Sequence, residues 1–168
     1  HITERFIYSD GLQSSPGRAL NSYVSTFSPG FLLTLGSKWT ADYTPTWTVY
    51  TNRAFQNSVG HALNFTGGMP AGDWLLSFTQ HYSLTSSLRV ETARQTEQQA
   101  AVTGIGIAHR FDEHLSLEIA TTQNLQFVAA APDSYDWSSV ASLCYQISSR
   151  LTTSAGFKLG YTDLYPGS

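Results

Sequence analysis

Apolar and polar positions alternate along most of the chain. From 151 onward, Leu151, Thr153, Ala155, Phe157, Leu159 and Tyr161 fall on one side, and Thr152, Ser154, Gly156, Lys158, Gly160 and Thr162 on the other. A period of two marks extended backbone with two unlike faces, because successive side chains of a strand point in opposite directions. The same rhythm sets Leu115, Leu117, Ile119, Leu125 and Phe127 against His114, Ser116, Glu118, Ala120 and Thr122. It sets Trp74, Leu76, Phe78 and Tyr82 against Ser77, Thr79, His81 and Ser83, and Trp39, Ala41, Tyr43, Trp47 and Val49 against Thr40, Asp42, Thr44, Thr46 and Thr48. Further strands are predicted over 22–36, 59–68, 98–111 and 134–147, with a weaker one over 2–9.

The predicted links alternate in length. Gly36-Ser37, Met69 to Gly72, Asp112-Glu113 and Ser148-Ser149 are short, whereas 10–21, 52–58, 84–97 and 128–133 are longer and more polar. Short turns at one end and long loops at the other describe an up-and-down meander. Residues 88–101 have a helix-favouring composition but no helical apolar stripe, so they are assigned to strand ends and a loop. Pro29 and Pro45 fall inside predicted strands, where each removes a ladder donor, so bulges or shifted strand limits are expected there.

Composition decides what the two faces meet. Charged residues make up 12% of the 168 residues, against ~25% in ordinary soluble domains. The polar face is mostly Ser, Thr, Gly and Ala, with isolated charges at Asp42, Arg110, Glu118 and Lys158. A soluble sandwich must keep that face in bulk water and commonly loads it with Lys and Glu, partly to block edge pairing. Small hydroxyl residues with scattered charge suit a confined wet lumen instead. The apolar face carries Trp39, Trp74, Phe111, Phe127, Trp137 and Tyr161 near predicted strand ends, where aromatic rings settle at a lipid headgroup boundary. The pattern therefore predicts an all-β fold: an antiparallel up-and-down transmembrane β-barrel. Its meander has about eight to nine strands, forming a whole barrel or part of a larger one.

Two hairpins carry a family resemblance. "CYQISSRLTTSAGFKLGYTD" (144–163) and "AHRFDEHLSLEIATTQ" (108–123) each join an aromatic-bearing strand through a tight polar turn to a Leu-led strand. In this they resemble Gram-negative outer-membrane β-barrel proteins of the porin class. The resemblance covers the chain from about residue 22 onward. It implies a closed antiparallel barrel in the outer membrane that passes or binds small solutes, with lipid as its surroundings and no catalytic residues.

Candidate chemistry is sparse. The four polar-face charges, Asp42, Arg110, Glu118 and Lys158, are the candidate binding residues, read either as a lumen ring that filters solutes or as internal pairs that stiffen a plugged barrel. The net charge of -3 argues against a nucleic-acid partner. Cys144 is the single cysteine, so neither an intrachain disulfide nor a cysteine zinc cluster is expected. His1, His61, His109 and His114 lack metal-ligand spacing, and no cofactor motif is present. His81 and Ser83, with Glu91 as a group that could orient the imidazole, are the one enzymatic candidate; the two residues His81 and Ser83 faintly resemble the His-x-Ser element of outer-membrane lipid A deacylases, but the asparagine and glycines that follow that serine in those enzymes are missing. In those enzymes the residues also face lipid, whereas here they fall on the polar face. The chain is thus expected to be a passive, cofactor-free barrel of a Gram-negative outer membrane: a porin-like channel or a structural envelope protein. A soluble β-sandwich binding or adhesion module is the main alternative, and a lipid A hydrolase a remote one.

One region, 1–168, is expected, incomplete at both ends. About nine strands leave two unpaired edges, which lipid does not tolerate. The chain has no initiator methionine and ends "LYPGS" without the terminal aromatic usual in such barrels.

Overall fold

The computed structural model describes residues 1–15, 18–89, 94–129 and 131–165. Every regular element among them is a strand: β1 (Ile2–Ser15), β2 (Arg18–Pro29), β3 (Phe31–Leu35), β4 (Trp39–Tyr50), β5 (Ser58–Ala71), β6 (Trp74–Arg89), β7 (Arg94–Arg110), β8 (Leu115–Val128), β9 (Asp133–Ser148) and β10 (Leu151–Tyr165). They form one sheet in the order β1-β2-β4-β5-β6-β7-β8-β9-β10, with β3 also on β4. Every pairing is antiparallel, and all but β2 on β4 join chain neighbours. β1 pairs only with β2 and β10 only with β9, so the sheet is open.

β2 and β3 are two halves of one predicted strand, broken where two prolines meet. Phe27 pairs with Trp47 and Phe31 with Tyr43, a register that puts Pro29 directly opposite Pro45. The Tyr23–Thr51 backbone bond shows that odd positions of β2 and β4 turn their amides toward each other. Pro29 and Pro45 therefore face each other where both should donate, and neither has an N–H. Gly30 turns the other way and bonds His1. The single strand expected over 22–36 is thus two, ending at Pro29 and resuming at Phe31, and the ladder is interrupted there rather than bulged.

The predicted long loops need correction. The polar segments 10–21 and 84–97 are mostly strand: β1 runs to Ser15, β2 starts at Arg18, β6 reaches Arg89 and β7 starts at Arg94. Backbone pairing does not require apolar side chains, so a hairpin rich in Thr, Ser and Gln continues its ladder past the end of the apolar stripe. The segment 51–57 is the remaining long link. It is held by Gln56 and Gln95, whose side chain and backbone exchange two bonds of 3.1 and 2.9 Å, and by Phe55, which packs on Tyr50 with ring centroids 5.4 Å apart.

The opposite links are tight. Gly36 and Gly72 adopt φ of 64° and 63°, a region that other residues enter only with strain. In the 111–114 turn, the amides of His114 and Leu115 donate to Asp112 Oδ1 at 2.7 and 2.8 Å. These backbone bonds hold the Asp112 carboxyl below its ordinary pKa. A depressed carboxylate stabilises the fold above its unfolded pKa, and that contribution is lost as pH falls through the folded value, hence below about pH 4. The protection of the His114 and Leu115 amides from exchange, relative to the intrinsic rate at each pH, is expected to fall below that pH and to be low already at neutral pH in Asp112→Ala.

No second sheet packs on the first among the described residues. Among the described residues the buried apolar side chains are few, Phe55 and Pro45, while Phe157, Leu159 and Leu143 lie open. A compact monomer of 18.4 kDa exposes about 8,200 Å² by the usual scaling, whereas this chain exposes 11372 Å². The two-layer core of a β-sandwich is not what holds these strands; the ladders are.

Candidate functional site

The register carries one face across the whole sheet. Asp42 stands opposite Asn64, Asn64 opposite His81, His81 opposite Val102, Val102 opposite Asn124, Asn124 opposite Asp136 and Asp136 opposite Thr162. Directly paired residues point to the same side of a sheet. The faces read from alternation within single strands therefore join into one continuous polar face and one continuous apolar face.

On the polar face the four candidate charges separate into three places. Arg110 and Glu118 lie on the adjacent strands β7 and β8 and line one hollow of about 440 Å³ at the short-turn end, together with Asp73. Lys158 lies on β10 and lines a second hollow of about 390 Å³ with Asn124, Asp136, Thr122 and Thr162. Asn124 Nδ2 donates to Asp136 Oδ2 at 3.4 Å, while Asn124 Oδ1 is buried without a partner. Asp42 joins neither hollow. It accepts a bond from Thr44 Oγ1 at 3.1 Å and shares its row with the Asn64–His81 pair. The structure thus brings Arg110 and Glu118 together and leaves Asp42 and Lys158 apart from them.

Asp73, Asn124 and Asp136 were not singled out from the sequence. Asp136 has the right parity for the polar face, but only cross-strand register shows that it meets Asn124 and the hollow lined by Lys158. His81 and Ser83 also share the polar face. His81 Nδ1 sits 2.5 Å from Asn64 Oδ1 rather than on the Ser83 hydroxyl, and Glu91 lies outside the described residues. Among the described residues, no three His, Cys, Asp or Glu side chains converge in a metal-binding group.

The opposite face holds all four tryptophans, Trp39, Trp47, Trp74 and Trp137, at positions that the register places on one side. Aromatic rings gather near both strand ends. At the short-turn end Trp74 stacks on His109 with centroids 4.2 Å apart, and His109 meets the edge of Phe111 at 4.6 Å. At the other end Tyr135 contacts Phe127 at 5.7 Å and Tyr165 at 5.2 Å. Between them run Leu76, Ile107, Ile119 and Phe157. No protein-family model, curated protein or solved structure matches the chain.

Proposed function

We propose that this sheet is a sector of an outer-membrane β-barrel wall, with its apolar face in lipid and its polar face on a water-filled lumen, acting as a porin-like passive channel. The observation that carries this reading is the exposed apolar face, which has aromatic clusters near both strand ends and no protein layer over it. In water, a patch of that size drives aggregation or association. In a bilayer the same face is solvated, and the strands need only pair with one another. The two free edges, β1 and β10, are consistent with a wall that closes through further strands. Surrounding lipid and small solutes are the partners that this arrangement implies. A structural or plugged envelope barrel is the second reading, favoured if Arg110 and Glu118 neutralise each other across a filled interior.

The test is reconstitution. The purified protein should need detergent, shift in gel mobility on heating, and give ion conductance in a planar bilayer. Glu118→Lys should move the reversal potential toward anion selectivity, and Lys158→Glu toward cation selectivity. The outward Leu159→Val should leave it unchanged. A protein that inserts but conducts nothing supports the structural reading. A protein that stays dispersed without detergent overturns both.

A further inference from the structure

The aromatic cluster at the long-loop end of the apolar face holds a carboxylate. Asp163 on β10 stands directly opposite Tyr135 on β9, and Tyr161 and Tyr165 flank it on its own strand. Tyr161 Oη donates to Asp163 Oδ2 at 3.3 Å. The diagonal neighbours are Trp137 and Asp133. None of these five residues is a cation, so no register neighbour neutralises Asp163. Beside it opens a hollow of about 380 Å³ lined by Gln123, Tyr135, Trp137, Tyr161 and Tyr165. Asp136 also borders it, with its own carboxylate bonded to Asn124 and Ser134. The charges that line or flank the hollow are thus carboxylates, and most of its wall is aromatic. Lys158 lies on the opposite face.

A carboxylate on an otherwise apolar face costs desolvation energy unless a cation meets it. Tyr and Trp rings attract cations too, through the negative potential over the ring face. The level within the wall narrows the choice. Trp137 and Tyr161 sit near the strand ends, where such rings settle among lipid headgroups. We infer that the hollow holds the headgroup of a phospholipid that carries an ammonium, with the ammonium against Asp163 and the tyrosine rings. This rests on the membrane reading above. The polar groups below Asp163 follow the order of such a lipid. One register step toward the short turns stands Gln123, whose side-chain amide has no hydrogen bond among the described residues and is a donor for the phosphate. A step further are Thr121 and Ser139, their hydroxyls 2.7 Å apart, at the level of the acyl esters. Beyond them Ile119 and Phe157 begin the apolar stripe that meets the tails.

The test uses the full chain in detergent micelles, with bound lipid counted by native mass spectrometry. Phosphatidylethanolamine and phosphatidylglycerol with identical tails differ only in the headgroup, and the first should be held about tenfold more tightly. Asp163→Asn should abolish that preference, and Gln123→Leu should weaken the binding of phosphatidylethanolamine. Glu4→Gln removes the same charge from the same face at the far edge of the sheet, and should leave the preference intact. If Asp163→Asn fails to fold, Tyr135→Leu decides: it keeps the carboxylate, removes the ring opposite it and should reduce the preference. Equal retention of the two lipids by the wild-type chain, or a preference unchanged in the folded Asp163→Asn or Tyr135→Leu variant, overturns this inference and leaves the membrane reading standing. A chain that stays dispersed without detergent and takes up neither lipid overturns both.

Discussion

Phe157→Arg is expected to destabilise the inserted protein by about 2–4 kcal/mol, the cost of placing a cation near the middle of the band proposed to face lipid. Phe157 is 63% exposed, so an aqueous surface predicts little. Surface substitutions in water usually stay within about 0.5 kcal/mol. The two environments therefore give different answers for one substitution. Its neighbour Lys158 faces the other way and already carries a charge. Thr122→Arg, on the polar face beside it, should cost little and act on ion selectivity instead. Denaturant unfolding in vesicles, with wild type and both variants side by side, measures the difference.

Gly67→Val should cost about 1–3 kcal/mol, the usual range for overpacking. Gly67 pairs directly with Trp39, and the indole lies over it where a Cβ would sit. The ring is also stacked on Phe65 at 5.3 Å with its plane within 17°. A β-carbon would meet the ring on one side and the Lys38 carbonyl at 2.8 Å on the other, so the strand itself would have to move. The cause can be isolated. In a Trp39→Ala background the ring is gone, and most of the Gly67→Val penalty should go with it. Coupling of that kind is what a double-mutant cycle measures. An equal penalty in both backgrounds would place the strain in the backbone alone.

The faces were legible because they depend only on the two-residue period, which each strand displays by itself. Leu151 to Thr162 and Trp39 to Val49 are examples, and the register joins their faces, with one shift between Leu151 and Thr152. Strand ends were less legible. Polar residues near 10–21 and 84–97 look like loop, yet these hairpins continue their ladders with polar side chains. Grouping across strands was not legible at all. Arg110 with Glu118 and Asp73, or Lys158 with Asp136 and Asn124, depends on the offset between neighbouring strands, which turns and ladders set.

The lipid contact of the apolar face is the central claim, and the four native tryptophans report on it without any mutation. All four, at 39, 47, 74 and 137, lie on that face. In vesicles of brominated phospholipid, their fluorescence should be strongly quenched relative to unbrominated lipid and should resist the aqueous quencher acrylamide. Emission that bromine leaves unchanged and acrylamide quenches freely would put this face in water and contradict the account.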